Sequence, residues 1–432
     1  MSTIGRRRAG LAGTRVARSW ARFAERTEAA TPEGRDRGAD ALRAIAIVGV
    51  IAGHWLVTAW VVDGLGHVRV TSPLASMPGF TPLSWVLQTL AVFFFVGGYA
   101  AGGSLARSRD ARSWLRARIR RLLGPVGPLL LVWAALLAVL AGIGMPPGSL
   151  RSLAVPALGP LWFLAVFGLL TAATPLLVRV RPYLLVCAMV AVVLVVDAVR
   201  FGSGGPGWLG WTNVAAGWLV PYALGLARAR TGLSPSSPRA ASGPSAEASG
   251  IPHPGRARRW IEGRWGAVAM LTGGVAGTVV LVTAFGYPAS MIGVTGARVS
   301  NLSPPTLAAV CFGVAQVGLA LLLHRPLAAL MRRPRLWAGV VLANLSAMTV
   351  FLWHQTALAV VVLAALPFGT AVPGLLAPPD SAAWVVQRLS WLPLPAALVA
   401  AACAIFFRRS GPYGRQPAAG LETSLRARDT AR

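Results

Sequence analysis

Ten apolar stretches set the outline of this chain, at approximately 41–62, 85–105, 122–143, 161–178, 183–200, 212–227, 265–285, 305–324, 338–363 and 392–407. A helix needs about 20 apolar residues to cross the hydrocarbon core of a bilayer. Inside lipid the backbone must bond to itself, so such stretches are expected to be helices. The predicted fold class is all-α, a polytopic integral membrane protein with about ten transmembrane helices. Composition agrees: 12% of residues are charged, against roughly 25% in a soluble domain. The mean hydropathy of +0.62 points the same way. A soluble enzyme, a disordered chain and a fibrous repeat all fit poorly.

A net charge of +28 invites a nucleic-acid reading. Its placement argues against one, because all 41 basic residues are Arg and sit in short segments between apolar stretches. A nucleic-acid domain gathers them on one soluble face, so no nucleic-acid partner is expected. With a cytoplasmic N-terminus and ten crossings, 36 Arg fall inside and five outside, namely Arg69, Arg151, Arg200, Arg298 and Arg388. That alternation follows the positive-inside rule. Both termini are expected in the cytoplasm, in a multi-pass protein of the plasma membrane.

The expected organisation is a basic cytoplasmic tail over 1–38, a transmembrane domain over 39–407 and a cytoplasmic tail over 408–432. Within it, 229–260 is rich in Pro, Ser, Gly and Ala and reads as a flexible cytoplasmic linker. The Arg-rich start lacks the apolar core of a signal peptide, so the first span is expected to be an uncleaved signal-anchor. No internal repeat relates the helices before the linker to those after it. Cys187, Cys311 and Cys403 each lie in an apolar stretch, without metal-ligand spacing or a disulfide framework. No metal and no resident cofactor are expected.

Ionisable groups at membrane depth are costly and are functional candidates by default. His54 lies eleven residues after Arg43, about 16 Å further along a helix. His354, followed by Gln355 and Thr356, is the second. Each is either a helix-to-helix hydrogen bonder or a working group. Asp63 and Asp197, at outer ends of spans, read as interfacial, and His324 as a boundary residue. His67 falls in an outer loop and His253 in the linker. The segment ARSRDARSWLRARIRRLLGP holds seven Arg between Arg107 and Arg121, opposed only by Asp110. Arg112, Arg116 and Arg120 are spaced by four and share one helix face. Such a comb suits either a phosphate-bearing ligand or anionic lipid. There is no HExxH, Walker loop, GxSxG or zinc-spaced Cys pair.

Asp40-Ala41-Leu42-Arg43 followed by His54 resembles the opening of acyltransferase family 3, polytopic enzymes that modify envelope sugars and other exported or lipid-linked acceptors. AVFFFVGGYAAGGSL resembles that family's second-span signature, and WLRARIRRLLGP its Arg-rich stretch. LWFL at Leu161 to Leu164 and FLWHQTAL at Phe351 to Leu358 are similar to two later landmarks. Together they run in order from 40 to 358. Ala41 departs from the usual Gly and leaves the charged pair in place. An extracellular SGNH-type hydrolase partner domain, found in some relatives, is not expected.

The resemblance implies that His54 is a general base or transient acyl carrier. It also implies that Arg43, Arg116, Arg118, Arg120 and Arg121 hold the phosphates of acyl-CoA from the cytoplasm, with Asp40, Trp162 and His354 in support. The partners so implied are acyl-CoA as donor substrate, a carbohydrate or lipid-linked acceptor, and membrane lipid. The acyl group would pass to a hydroxyl or amine, as in O-acetylation. A transporter or flippase for a lipid-linked or acylated metabolite, with His54 and His354 lining a pathway, is the alternative class.

Overall fold

The computed structural model describes residues 17–232, 263–297, 299–369 and 372–409. A helix over 17–29 (α1) precedes α2 (Arg37–Val57), a short antiparallel hairpin of β1 (Ala59–Val62) and β2 (Val68–Thr71), and α3 (Leu90–Ala106). Then come α4 (Ala111–Leu123), α5 (Val126–Gly142), α6 (Pro147–Leu158), α7 (Pro160–Leu177), α8 (Pro182–Asp197) and α9 (Thr212–Gly232). The remainder is α10 (Arg264–Ala284), α11 (Leu307–Leu330), α12 (Pro334–Ala365), α13 (Ala382–Trp391) and α14 (Pro393–Arg409). The predicted all-α fold is found, with the hairpin as a small addition.

Nine helical segments among the described residues are long and apolar enough to span a membrane. The sixth apolar stretch, 212–227, lies in α9, which is not among them. Every position from 216 to 223 is buried, so this helix faces protein and has no need of a lipophilic surface. The outer helices show the opposite pattern, with Leu131 and Val195 at 73% and 59% exposure, as lipid contact requires.

The first apolar stretch ends its helix earlier than its composition predicts. Thr58 is extended, and Ala59–Val62 pairs with Val68–Thr71. Asp63 builds the connecting turn: its carboxylate accepts from the Leu65 and His67 amides at 3.0 and 2.9 Å and from Arg69 Nε at 2.8 Å. These contacts, the His67 amide foremost, hold its carboxyl below the usual carboxylate range.

At the other end of α2, Asp36 is the N-cap, accepting from the Ala39 amide at 2.9 Å. It also accepts from Tyr99 of α3 and pairs with His324 of α11, both at 2.8 Å. Burial pushes the Asp36 carboxyl up, yet the contacts from His324, the Ala39 amide and Tyr99 outweigh it and hold it well below the usual range. His324 is thus tied to the start of α2.

Glycine permits the closest helix contacts. A Cβ on Gly98 of α3 would overlap the Tyr222 carbonyl of α9, and one on Gly225 of α9 would overlap the Phe95 carbonyl of α3. Gly225→Ala is expected to lower stability by about 1–3 kcal/mol through overpacking, read as a fall in thermal unfolding temperature in detergent. Gly273→Ala, which meets nothing within 4 Å, is the control and should unfold as wild type does.

Asp197, expected at the interface, is instead buried at 1% exposure. Its carboxylate accepts from the Leu307 amide at the start of α11 at 2.7 Å, from Asn213 at 3.0 Å and from Tyr287 at 3.1 Å. A helix N-terminus and two neutral donors replace the water that an interfacial carboxylate would have kept.

The expected tails and linker fall only partly in this description. Residues 17–29 of the N-terminal tail are helical, and 408 and 409 end α14. Residues 1–16, 233–262 and 410–432, which hold most of the linker and the C-terminal tail, lie outside the described residues.

Candidate functional site

Helix α2 carries Arg43 toward one end and His54 in its last turn, and packs on α3, α11 and α12. The His54 ring is exposed, whereas His354 of α12 is fully buried. The two rings lie 5.1 Å apart between centroids, tilted by 51°. His354 Nδ1 donates to the Phe351 carbonyl at 2.7 Å, and the Trp55 indole donates to the His354 carbonyl at 2.9 Å. This fixes the tautomer of His354 and leaves its buried Nε2 without a partner. Only His54 of the pair has open ring surface.

Gln355 lies beside His54 and was legible in the sequence only as the neighbour of His354. Its amide nitrogen is 3.3 Å from His54 Nδ1 and 3.0 Å from Thr58 Oγ1.

Arg388 of α13 departs from its expected place as an outer-loop cation. It is fully buried and clamps the end of α2. Its Nε donates to the Trp55 carbonyl at 2.8 Å, Nη2 to the Thr58 carbonyl at 2.6 Å and Nη1 to the Gly374 carbonyl at 3.1 Å. The last carbonyls of a helix have no intrahelical donors, and a buried guanidinium needs acceptors. Each satisfies the other, and Trp384 covers the guanidinium at 5.5 Å. The AAWVVQRLSW segment did carry one hint, a single Arg within an aromatic and aliphatic pattern.

Near the other end of α2 the Arg residues divide. Arg43 lies over the Phe93 ring at 5.8 Å, within electrostatic reach of Asp40, Arg118, Arg35 and Arg121. Asp40 is engaged by Arg35, whose Nη2 donates to it at 2.9 Å. The Arg-rich segment forms α4, capped by Asp110, which accepts from the Arg112 and Ser113 amides at 3.1 and 2.7 Å. Arg118 turns inward and donates to the Ala100 carbonyl at 3.1 Å and to Ser104 Oγ at 2.6 Å. Arg112, Arg116 and Arg120 do share a face, and all three are exposed. The structure therefore brings together Arg43, Arg118 and Arg121, while Arg116 and Arg120 project outward.

An aromatic seam connects the two ends. From Arg43 over Phe93 it passes to Phe163 at 5.2 Å, then Phe351 at 5.0 Å, His354 at 6.1 Å and His54 at 5.1 Å. Three of the sequence landmarks, the Phe run, LWFL and FLWHQTAL, thus meet in one packed layer. Trp162 flanks it, 37% exposed, 6.2 Å from Phe163 and 6.3 Å from Trp218. A cavity of about 460 Å³ lies where α2, α5 and α12 finish, lined by Val62, Gly66 and Val68 of the hairpin, Met145, Ser149 and Leu366 among others. Among the described residues no three His, Cys, Asp or Glu side chains group as a metal site would.

Chemically, the arrangement offers an accessible imidazole with an amide and a hydroxyl at its back. About three helical turns away, Arg43 of the same helix joins Arg118 and Arg121 of α4 in a guanidinium cluster suited to an anion. A family model described as "Acyltransferase domain", of acyltransferase family 3, matches residues 36–409. The match starts at the residue that caps α2 and runs to the end of α14. The comparisons with curated proteins and with solved structures found no match.

Proposed function

The chain belongs to acyltransferase family 3, and from that premise we propose that it transfers an acyl group from acyl-CoA to a hydroxyl or amine of an envelope sugar, lipid-linked or exported acceptor. Family membership makes it a multi-pass membrane acyltransferase rather than a transporter or flippase. The observation that carries the finer reading is α2 itself, with a guanidinium cluster near one end and an open imidazole at the other.

Arg43, Arg118 and Arg121 hold the donor phosphates through charge-assisted contacts. The thioester arm runs along the seam and brings its carbonyl to His54, about 16 Å further along the helix. His54 takes the acceptor's O–H or N–H proton as the acceptor atom bonds to the carbonyl carbon. When the tetrahedral intermediate collapses, the C–S bond breaks. The thiolate then takes the proton from His54, leaving free CoA and the new ester or amide. Imidazole has one nitrogen that accepts a proton and later releases it, which suits both transfers. Arg116 and Arg120, on the exposed face, add only long-range attraction. His354 supports the seam from behind.

This reading counts α9, sheltered among the other helices, as a tenth crossing, and puts the Arg-rich end in the cytoplasm of a plasma-membrane protein, with both termini on that side and the hairpin outside. In a background without the three native cysteines, Leu65→Cys and Asp380→Cys are expected to react with an impermeant thiol reagent added to intact cells. Arg109→Cys and Arg179→Cys should react only after lysis. The opposite pattern would place the Arg cluster away from cytoplasmic CoA. For the activity, purified protein in bilayers given labelled acetyl-CoA should form labelled ester or amide, and a deletion strain should lose one acylated envelope species. Intact acylation in that strain would contradict the proposal.

A further inference from the structure

We propose that Gln355 is a positioning residue: its carbonyl oxygen accepts from His54 Nδ1–H and Thr58 O–H, leaving His54 Nε2 as the basic nitrogen. The inference rests on the reading of His54 as general base and adds the group that sets its tautomer.

Gln355 is 1% exposed, so the amide reaches its partners within the protein and not through bulk water. The end directed at His54 Nδ1 and Thr58 Oγ1, at 3.3 and 3.0 Å, carries the nitrogen in this structure, while the buried Oε1 has no partner. The two ends of an amide have the same shape, and which is oxygen follows from the hydrogen-bond network. Proton chemistry decides it here. An imidazole that has taken up a proton carries hydrogen on both nitrogens, so Nδ1 must then face an acceptor. An amide N–H in that place would set donor against donor. The neutral ring makes the same demand before reaction, since Nε2 is free to accept only when Nδ1 holds the hydrogen. With Oε1 turned toward His54, one acceptor serves both states of the ring. The Thr58 hydroxyl donates to the other lone pair and fixes the amide plane. Arg388 holds the Thr58 carbonyl at 2.6 Å and so keeps that hydroxyl in register with His54, one turn away.

The test compares Gln355→Glu with Gln355→Leu, measuring kcat and donor KM on folded, monodisperse protein. Glu is an acceptor only and can bond both Nδ1–H and the hydroxyl, whereas Leu fills similar volume with no acceptor. Gln355→Leu should lose about 10- to 100-fold in kcat, the size seen when a metal-bound histidine loses the outer partner that orients it, with donor KM unchanged. Gln355→Glu should retain more activity than Leu. A side chain that merely fills space predicts the reverse order, because Glu would bury a charge there and Leu would not. Should the Glu variant fail to accumulate, Thr58→Ser and Thr58→Val separate the same readings, Ser, which keeps the hydroxyl, retaining more kcat than Val, which lacks it. Wild-type kcat in Gln355→Leu, or Leu more active than Glu, would overturn the proposal. Turnover retained by His54→Ala would instead remove the base, and the inference would fall with it.

Discussion

His54→Ala is expected to abolish acyl transfer, lowering kcat by at least about a hundredfold, the lower range for a lost general base. Donor KM should barely change, because the phosphate-holding groups lie about 16 Å away. The variant should insert and fold normally. The residue is exposed and its ring packs on one side, against His354, its polar contact is the long one to Gln355, and losing a polar group from a span eases insertion. His354→Ala should behave differently. That ring is fully buried between His54 and Phe351, so its loss opens a cavity and lowers stability along with rate. Near wild-type turnover by His54→Ala, normalised to folded protein, would refute the assignment.

The second large effect belongs to Arg43. Its guanidinium lies over Phe93 among neighbouring Arg residues, a crowding of like charge that a bound anion relieves. Arg43→Ala is expected to raise donor KM by about 10- to 100-fold, the equivalent of ~1.5–3 kcal/mol for a charge-assisted contact. Arg121→Ala should act in the same direction and more weakly, since this side chain is exposed. Arg116→Ala and Arg120→Ala should change KM by no more than about twofold, as surface charges contribute little. Raising salt should narrow the gap between wild type and Arg43→Ala, because screening weakens the intact contact. Equal KM values for Arg43→Ala and Arg120→Ala would mean that the cluster does not hold the donor.

The division among these Arg residues shows how far the sequence can be read. A spacing of four puts Arg112, Arg116 and Arg120 on one face, and they are on one face. Whether that face looks inward depends on Trp114 and Ser104 drawing Arg118 toward α3, a tertiary fact with no local signal. Arg43 and His54 were legible because one helix fixes both their separation and their rough alignment. Arg388 was not, since its partners Trp55, Thr58 and Gly374 are far from it along the chain. Apolar length found all nine helical segments that, among the described residues, are long and apolar enough to span a membrane. It was least informative for α9, which faces protein, and at Thr58, where the helix gives way to a hairpin.

The placement of Arg43 and His54 on one uninterrupted helix makes α2 a molecular ruler. Its graduations are the rise of the backbone, about 1.5 Å per residue, so under the proposed function it would gauge the donor from phosphate to carbonyl. What lies beyond the carbonyl is not gauged. Acyl groups that differ only in their far ends present the same measured length, and selection among them belongs to the walls past the last turn of α2, where the hairpin begins. Inserting one residue between Arg43 and His54 would lengthen the ruler by only ~1.5 Å but turn His54 by about 100° away from Gln355. Tolerance to change in this segment should therefore be set by rotation far more than by length.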